Sequence, residues 1–227
     1  MRFIGRVVSA ATAAAAVYAL FVRRTLIRWG ATEDELDSDY PGADVVENGV
    51  RAATMAVTIG APPSEVWPWL IQMGYDHAGW YSWDRLDNGG RPSATELHPD
   101  WQQLTTGDYM KAWTPDGPVD AWQVVILETH HFLGLRGLSD LKGRVLDPAL
   151  PRPAAYTEGL WGFRLDDVPG DSTRLVVSGY QTARPRWIER IFNYWIYPLI
   201  HWPMQTRQFA NLKRNAERHY RSAAPSV

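Results

Sequence analysis

The chain contains no cysteine, so it has no disulfide, no thiolate metal ligand and no cysteine nucleophile. Lysine is also scarce, with three lysines against 20 arginines. The net charge of −2 at pH 7 lacks the basic excess of a nucleic-acid-binding protein, so we expect no nucleic-acid partner. A glycine-rich phosphate loop, a serine nucleophile elbow and a metal-binding spacing are all missing. The sequence therefore identifies no catalytic residue, and we expect no metal and no cofactor.

Tryptophan, in contrast, is abundant. The 227 residues include 12 tryptophans, and four of them fall within residues 64–88, "SEVWPWLIQMGYDHAGWYSWDRLDN". Aromatic side chains at this density fill a core, line a cavity or rest at a membrane interface. The rest of the composition, 45% hydrophobic and 21% charged, is that of an ordinary globular chain, and its length suits one main domain.

An uncharged segment of sixteen residues, "VVSAATAAAAVYALFV", lies between Arg6 and Arg23. A helix rises about 1.5 Å per residue, so this segment spans roughly 24 Å. That length crosses a membrane only if the flanking arginines extend toward the headgroups. A cleaved secretory signal and a helix packed on the domain are the alternatives. Because Arg23 and Arg24 resemble a stop signal, we expect residues 1–28 to be a membrane anchor, with the domain on the cytoplasmic side.

Residues 29–51 are polar, acidic and rich in turn formers, which predicts a linker, and residues 52–227 then form the domain. The domain begins with a short strand at 52–59, a helix from Pro63 to about Met73, and a second short helix within 82–88. A period of two predicts an antiparallel sheet from the next segments: "DYMKAW", "AWQVVILETH", "FLGLRG", "YTEGLWGFRLDDV" and "STRLVVSGYQTA".

In the fourth of these strands, alternation places Trp161 and Phe163 on the face toward a core or cavity, and Glu158 and Arg164 on a solvent face. Beyond Pro185 the spacing is helical again. We expect Pro198 and Pro203 to interrupt it, so that the last amphipathic helix covers about 204–220.

Two segments resemble a known superfamily. The block "AVTIGAPPSEVWPWLIQMGYDHAGWYSWDRLDN" and the closing "MQTRQFANLKRNAERH" resemble the beginning and the end of SRPBCC proteins, which include START and Bet v 1-like proteins. The segment "RWGATEDEL" is similar to the linker of a membrane-tethered bacterial subset. The resemblance covers residues 29–227. It implies an α+β helix-grip fold, in which a curved antiparallel sheet wraps a long C-terminal helix, here preceded by an N-terminal apolar helix.

The resemblance also implies a pocket between sheet and helix for a lipid, a polyketide or another hydrophobic molecule. We therefore expect the protein to bind a hydrophobic small molecule or lipid at or near a membrane. The side chains that we expect to line the pocket are Trp80, Trp83, Trp161, Phe163 and Phe209. The same superfamily includes cyclases and aromatase-like enzymes, so the fold does not decide between carrier and enzyme.

Two other classes of function stay open. A cyclase or dehydratase would need a proton-transfer group, for which Asp84, its helical neighbour Asp87 or a histidine is the candidate. The adjacent His130 and His131 are poor metal ligands, because neighbouring side chains of an extended strand point to opposite faces. The third class is an interaction module that docks a partner or a membrane, for which the aromatic run "IFNYWIYPLIHWPM" is the candidate surface.

Overall fold

The computed structural model describes residues 12–223, which form an α+β fold around one antiparallel sheet. The strands are β1 Val50–Arg51, β2 Met55–Ile59, β3 Tyr109–Thr114, β4 Gly117–Glu128, β5 Phe132–Ser139, β6 Tyr156–Val168 and β7 Ser172–Arg184. Both β1 and β2 pair with β7, and the other strands follow in the order β6, β5, β4, β3. The predicted antiparallel sheet is confirmed.

The two longest strands, β6 and β7, form a hairpin whose register runs from Tyr156 opposite Arg184 to Val168 opposite Ser172. The connecting loop contains Gly170 and Asp171, both with a positive φ. Glycine takes this conformation freely and aspartate tolerates it better than most residues, which explains why the chain reverses here. The sequence predicts this hairpin correctly.

Five helices and one short 3-10 turn, Pro99–Trp101, accompany the sheet within the described residues. The helices are α1 at 12–27, α2 Glu33–Asp37, α3 Pro63–Ile71, α4 Asp84–Asp87 and α5 at 186–223. The side chains of α3 and of the C-terminal half of α5 pack against the concave face of the sheet and form the main core with it, including Trp69, Leu70, Phe163 and Phe209. A curved sheet that holds a long C-terminal helix is compatible with a helix grip, as predicted.

Helix α5 is longer than the sequence predicts. It continues without interruption through Pro198 and Pro203, with π-helical turns over Glu189–Ile196 followed by the α-helical part Tyr197–Ala223. Pro198 has no N–H to donate to the preceding turn. The carbonyl of Tyr194 instead accepts a hydrogen bond from Arg23 Nε at 3.3 Å, and it shares the Tyr18 hydroxyl, at 3.3 Å, with the Trp195 carbonyl at 2.9 Å. Helix α1 thus satisfies a backbone group that proline leaves open.

The predicted N-terminal anchor, residues 1–28, lies partly outside the described residues. From residue 12 the chain is helical, with π-helical turns at Tyr18–Val22, and the helix continues through Arg23 and Arg24 to Ile27. The described helix is therefore not an uninterrupted apolar segment. No helix within residues 12–223 is both long enough and apolar enough to cross a membrane.

The predicted linker folds onto the convex face of the sheet. Tyr40 is buried there against Phe132 and Val176. Its hydroxyl lies 2.8 Å from the carbonyl oxygen of Gly162 and accepts a hydrogen bond from the Ser178 N–H at 3.2 Å. Helix α2 is attached to the same face by an ion pair of 2.7 Å between Glu35 and Arg174. Both faces of the sheet are consequently covered along its centre.

This cover corrects one expectation from strand alternation. Glu158 lies on the convex face as predicted, but it is buried rather than in solvent. Arg136 Nε donates a hydrogen bond of 2.8 Å to its carboxylate, and Arg152 Nη2 donates another of 3.2 Å. Arg152 belongs to the loop 140–155, which folds back over this face. Arg164 is half-buried, with its guanidinium 5.7 Å from the Tyr40 ring centroid.

Candidate functional site

A cavity of about 590 Å³ lies between the concave face of the sheet and the first half of α5. Strands β3 to β7 supply its floor, the segment from Trp80 to Asp87 supplies one wall, and α5 covers it from Phe192 to Gln208. The loop 140–155 reaches its rim with Gly143 and Val145. The cavity therefore occupies the position in the fold where the resemblance places a ligand pocket.

Glycines explain why this half of the sheet leaves a space. Gly137 and Gly159 are cross-strand partners on the concave face, and both line the cavity. A Cβ atom at Gly137 would come within 2.9 Å of the Trp122 ring, whereas the nearest atom to a Cβ at Gly159 would be 3.4 Å away. Further along the same strands, Leu133 pairs with Phe163 and fills the core. The cavity therefore begins at the Gly137–Gly159 pair, where the concave face has no side chains to fill the interior.

Three indole rings in mutual contact form the most conspicuous part of the lining. The ring of Trp161 stacks on that of Trp80 with centroids 5.6 Å apart, and it meets the ring of Trp122 at a tilt of 56° with centroids 5.3 Å apart. Aromatic contacts at these distances are favourable in both the offset-stacked and the tilted arrangement. The abundance of tryptophan in the sequence is therefore partly explained by this cluster, which supplies a broad apolar wall.

Helix α5 holds the Trp80 wall through buried amides. Gln205 Nε2 donates to Gln208 Oε1 at 2.8 Å, and Gln208 Nε2 donates to the Trp80 carbonyl at 3.0 Å. One turn further, Asn211 Nδ2 donates to the Tyr81 carbonyl at 2.7 Å. Tyr81 has a positive φ of 57°, so this loop is conformationally strained and requires such support. The amide side chains of α5 thus position the aromatic wall.

Two side chains of the lining, Asp87 and His201, have pKa values that burial shifts to between about 4 and 6. Burial is the main cause that raises the pKa of Asp87 to about 6; a hydrogen bond from Ser82 opposes the rise, and the nearby Asp84 carboxylate adds to it. Burial lowers the pKa of His201 to about 4, and its Nδ1 lies 3.1 Å from the Tyr197 hydroxyl. At neutral pH the histidine is uncharged and the aspartate is mostly ionised. The cavity therefore contains one carboxylate that titrates close to physiological pH.

Three residues of the lining carry a covered polar atom that has no hydrogen-bond partner among residues 12–223. The atoms are Trp161 Nε1, Gln205 Oε1 and Asp87 Oδ1. A buried polar atom without a partner costs about 1 to 3 kcal/mol. A ligand whose polar group reached one of them after a side-chain rotation would recover part of this cost.

The structure brings together two of the five residues predicted to bind a ligand. Trp80 and Trp161 line the cavity. Phe163 and Phe209 are fully buried in the adjacent core, where Phe209 stacks on Trp29 at 6.0 Å. Trp83 lies at the surface: its Nε1 donates to the Pro203 carbonyl at 3.1 Å. These three do not line the cavity, because one half of the interior is filled and because Trp83 turns outward at the start of α4.

Sequence reasoning missed several lining residues. Trp122 is on the same face of the sheet as Trp161, and the alternation of side chains along its strand is enough to predict this. The pairing of Gly137 with Gly159 required the strand register, which no local pattern gives. The sequence makes Asp87 a candidate for proton transfer, but it does not predict that Asp87 lies beside the cavity. That position follows from the packing of α4 against β3.

The other candidates for chemistry have structural surroundings. Asp84 Oδ1 accepts hydrogen bonds from the Ser93 hydroxyl and N–H, at 2.6 and 3.1 Å. His130 has a positive φ and lies with His131 in the turn between β4 and β5, not in an extended strand as we assumed. Within the described part of the chain, no group of three or more histidine or carboxylate side chains is placed to hold a metal ion.

A scan against protein-family models found no match, and a search of curated proteins found none either. Some solved structures do align with the chain. A protein from Nitrosomonas europaea aligns with a TM-score of 0.48 and 10% identity, over 77% of this chain and 98% of its own. A conserved protein of unknown function from Enterococcus faecalis has a TM-score of 0.43 and 13% identity, over 88% and 95%. A protein from Mesorhizobium loti has a TM-score of 0.38 and 19% identity, over 73% and 97%.

Proposed function

We propose that the protein binds a hydrophobic small molecule or lipid in the cavity between the sheet and α5, at or near a membrane. The observation that supports this most directly is the cavity of about 590 Å³ at the position where the glycines leave the concave face open. Pockets that enclose small ligands have volumes of roughly 300 to 1,000 Å³ and are lined mainly by apolar and aromatic groups. The cluster of Trp80, Trp122 and Trp161 meets that description.

Apolar burial is the driving force in this proposal. A ligand that hides about 300 Å² of apolar surface gains roughly 7 kcal/mol before the cost of association is subtracted. Since 7 kcal/mol alone corresponds to a Kd of about 10 μM, we expect neutral apolar molecules that hide this much surface to bind no more tightly than about 10 μM. Polar groups of the wall, among them the Asp87 carboxylate, would select the orientation and the polar end of the natural ligand.

Membership of the SRPBCC superfamily is part of the same proposal. It is supported by the two sequence blocks described above and by the arrangement of the sheet around a long C-terminal helix. Attachment to a membrane through residues 1–28 also stays a proposal, supported by the uncharged segment and the arginines that follow it.

The test is a substitution that fills the cavity. Gly159→Val adds a branched side chain to the concave face, where the nearest atom to the new Cβ is 3.4 Å away and the backbone φ suits any residue. We expect wild-type protein to bind the neutral fluorescent probe N-phenyl-1-naphthylamine saturably, with energy transfer from the cavity tryptophans. In Gly159→Val the affinity should fall roughly tenfold or more, because the branched side chain takes space that the probe needs.

Asp167→Val is the matched control, because Asp167 is an exposed residue of the same strand and lies outside the cavity. Its affinity for the probe should equal that of the wild type. Equal probe affinities in Gly159→Val and the wild type, with both proteins folded, would contradict the proposal. Native mass spectrometry of the full chain would then be used to identify any apolar molecule that copurifies with the wild type.

A second candidate function, a cyclase-like or dehydratase-like enzyme, is favoured by one observation. Asp87 combines a place in the cavity lining with a pKa of about 6, which suits a proton-transfer group. Asp84 is the weaker candidate because Ser93 occupies its carboxylate. The test is turnover of a poly-β-ketone thioester as a function of pH. Enzyme function requires a rate that changes near pH 6 and is lost in Asp87→Asn.

A further inference from the structure

The outer sides of α1 and of the first half of α5 carry a concentration of exposed apolar side chains. Of the eighteen large apolar side chains that are exposed among residues 12–223, eleven belong to these two segments. The most prominent are Leu20, Phe21, Trp187, Ile191, Trp195 and Leu199, which we call the apolar helix surface. Phe21 and Trp187 are 67% and 61% exposed. Soluble monomers rarely leave apolar residues clustered in this way unless the surface has a partner.

Direct contacts join the two helices into one surface. The ring of Tyr18 stacks on that of Trp195 at 5.1 Å, and the Tyr18 hydroxyl donates to the Trp195 carbonyl at 2.9 Å. The guanidinium of Arg23 lies 4.2 Å from the ring centroid of Tyr194. The apolar helix surface is therefore a property of the folded molecule and not of either helix alone.

The charge of these segments is opposite to that of the rest of the chain. Residues 12–32 contain three arginines and no acidic residue, and residues 184–207 contain four arginines and one glutamate. The whole chain nevertheless has a net charge of −2. An apolar helical face bordered by arginine, with tryptophan and tyrosine at its edges, is typical of segments that lie in the interface of an anionic bilayer.

The same surface is continuous with the cavity. Phe192 and Ile200 of α5 are exposed and also contribute to the cavity lining. From these observations we infer that the apolar helix surface docks the protein on an anionic phospholipid bilayer, with the cavity opening onto the lipid between Phe192 and Ile200. The opening is meaningful only if the proposed function holds, whereas the docking itself is measurable without it.

Charge also argues against a second copy of the chain as the occupant. A twofold interface would place the same arginine-rich segments against each other, and like charges would oppose the association. An anionic bilayer satisfies both the apolar side chains and the arginines.

The experiment is cosedimentation of the full chain with vesicles. One set contains phosphatidylcholine with about one third phosphatidylglycerol, and the other contains phosphatidylcholine alone. We expect wild-type protein to sediment with the anionic vesicles and to be released in part by 0.5 M salt, because salt screens the arginines. The variant Leu20→Ser/Ile191→Ser/Leu199→Ser should lower the partition coefficient at least tenfold, since three apolar side chains no longer insert.

The matched control is Val50→Ser/Leu141→Ser/Leu150→Ser, which removes three exposed apolar side chains elsewhere. It should sediment like the wild type. The inference is overturned if wild-type protein stays in the supernatant, if the first triple variant binds as well as the wild type, or if both triple variants lose binding equally. If wild-type protein stays in the supernatant, a protein partner becomes the candidate that covers the apolar helix surface.

A probe measurement without vesicles separates this inference from the proposed function. None of the three residues changed in the docking variant lines the cavity, so N-phenyl-1-naphthylamine should bind the variant as it binds the wild type. If the probe does not bind wild-type protein but docking depends on the apolar helix surface, the cavity proposal fails and the docking inference stands. If the probe binds and no protein sediments, the docking inference fails alone.

Discussion

At the scale of single residues, the protein places two titratable groups in one cavity and shifts their pKa values in opposite directions. Asp87 is shifted upward to about 6 and His201 downward to about 4, and burial is the main cause in both cases. In both residues, burial disfavours the charged form. Their contributions to the pH dependence of stability therefore oppose each other across the same pH range.

This opposition predicts the behaviour of Asp87→Asn. Between about pH 4 and 6 the folded protein holds a proton on Asp87 that the unfolded chain has released, so the aspartate lowers the free energy of unfolding as pH rises. His201 acts oppositely, because the unfolded chain binds a proton between about pH 4 and 6.5 and the folded protein does not. Without Asp87, only the contribution of His201 should remain, so the free energy of unfolding should rise with pH between about pH 4 and 6.5. We expect Asp87→Asn to gain roughly 1 kcal/mol at pH 7 relative to the wild type, a figure reduced for partial solvent access.

The measurement is urea unfolding of the wild type and of Asp87→Asn at pH 4.5, 5.5 and 7. Asp84→Asn is the control with a neighbouring carboxylate that is already hydrogen-bonded to Ser93. It should lose stability at pH 7 instead of gaining it. A pH profile of Asp87→Asn that runs parallel to that of the wild type would contradict the pKa assignment.

At the scale of elements, a buried carboxylate helps to hold the loop 140–155 over the sheet, beside the backbone hydrogen bond of 3.0 Å from the Leu146 N–H to the Leu138 carbonyl. Glu158 of β6 accepts hydrogen bonds from Arg136 of β5 and from Arg152 of the loop. Arg152 also donates to the carbonyls of Pro148 and Leu150, both at 3.2 Å, so it organises the loop and attaches it at once. The attachment fixes the segment that supplies Gly143 and Val145 to the cavity rim.

We predict that Glu158→Gln lowers the free energy of unfolding by ~2 kcal/mol, because two half-buried guanidinium groups lose their carboxylate. Amide hydrogen exchange in residues 140–155 should become faster before global unfolding does. Asp166→Asn is the control, since it removes the partly exposed Arg164–Asp166 pair on the same strand and should cost less than 1 kcal/mol. Equal losses of stability in the two variants would contradict the role of Glu158 as a main anchor of the loop.

At the scale of the whole molecule, a filled cavity should stabilise the fold. A ligand that binds only the folded state at 100 times its Kd adds ~2.7 kcal/mol. For a chain of this size that corresponds to a rise in Tm of roughly 5 to 10 °C. We expect saturating N-phenyl-1-naphthylamine to produce this rise in wild-type protein and in Asp167→Val. Scanning calorimetry would contradict the cavity proposal if Gly159→Val gained as much.

The sequence predicts the local parts of this fold better than the long-range ones. Alternation and turn residues give the β6–β7 hairpin, because both the pattern and Gly170 are contained in one short segment. The burial of Glu158 depends on a loop that returns from elsewhere, and no period in the sequence encodes it. The groups that cover the carbonyl left open by Pro198, Tyr18 and Arg23, likewise lie about 170 residues away in the sequence.

The candidate site follows the same rule. Trp161 is predictable because alternation assigns it to the concave face, and Trp80 because it belongs to the aromatic block. The interior has a filled half and an open half because Leu133 pairs with Phe163 in one and Gly137 pairs with Gly159 in the other. Predicting these pairs requires the register of β5 against β6, which the sequence pattern does not give. Phe163 satisfies the same alternation as Trp161 and yet lies in the filled half.

The hydrogen bonds between α1 and the Tyr194 carbonyl connect the N-terminal segment directly to the helix that covers the cavity. Tyr194 is three residues before Tyr197, which lines the cavity and contacts His201. A force that draws residues 12–27 away from the domain would load the Tyr18 and Arg23 bonds to α5 as well as the bond from the Thr54 N–H to the Ile27 carbonyl. The part of that force that reaches α5 would act within one helical turn of the cavity wall.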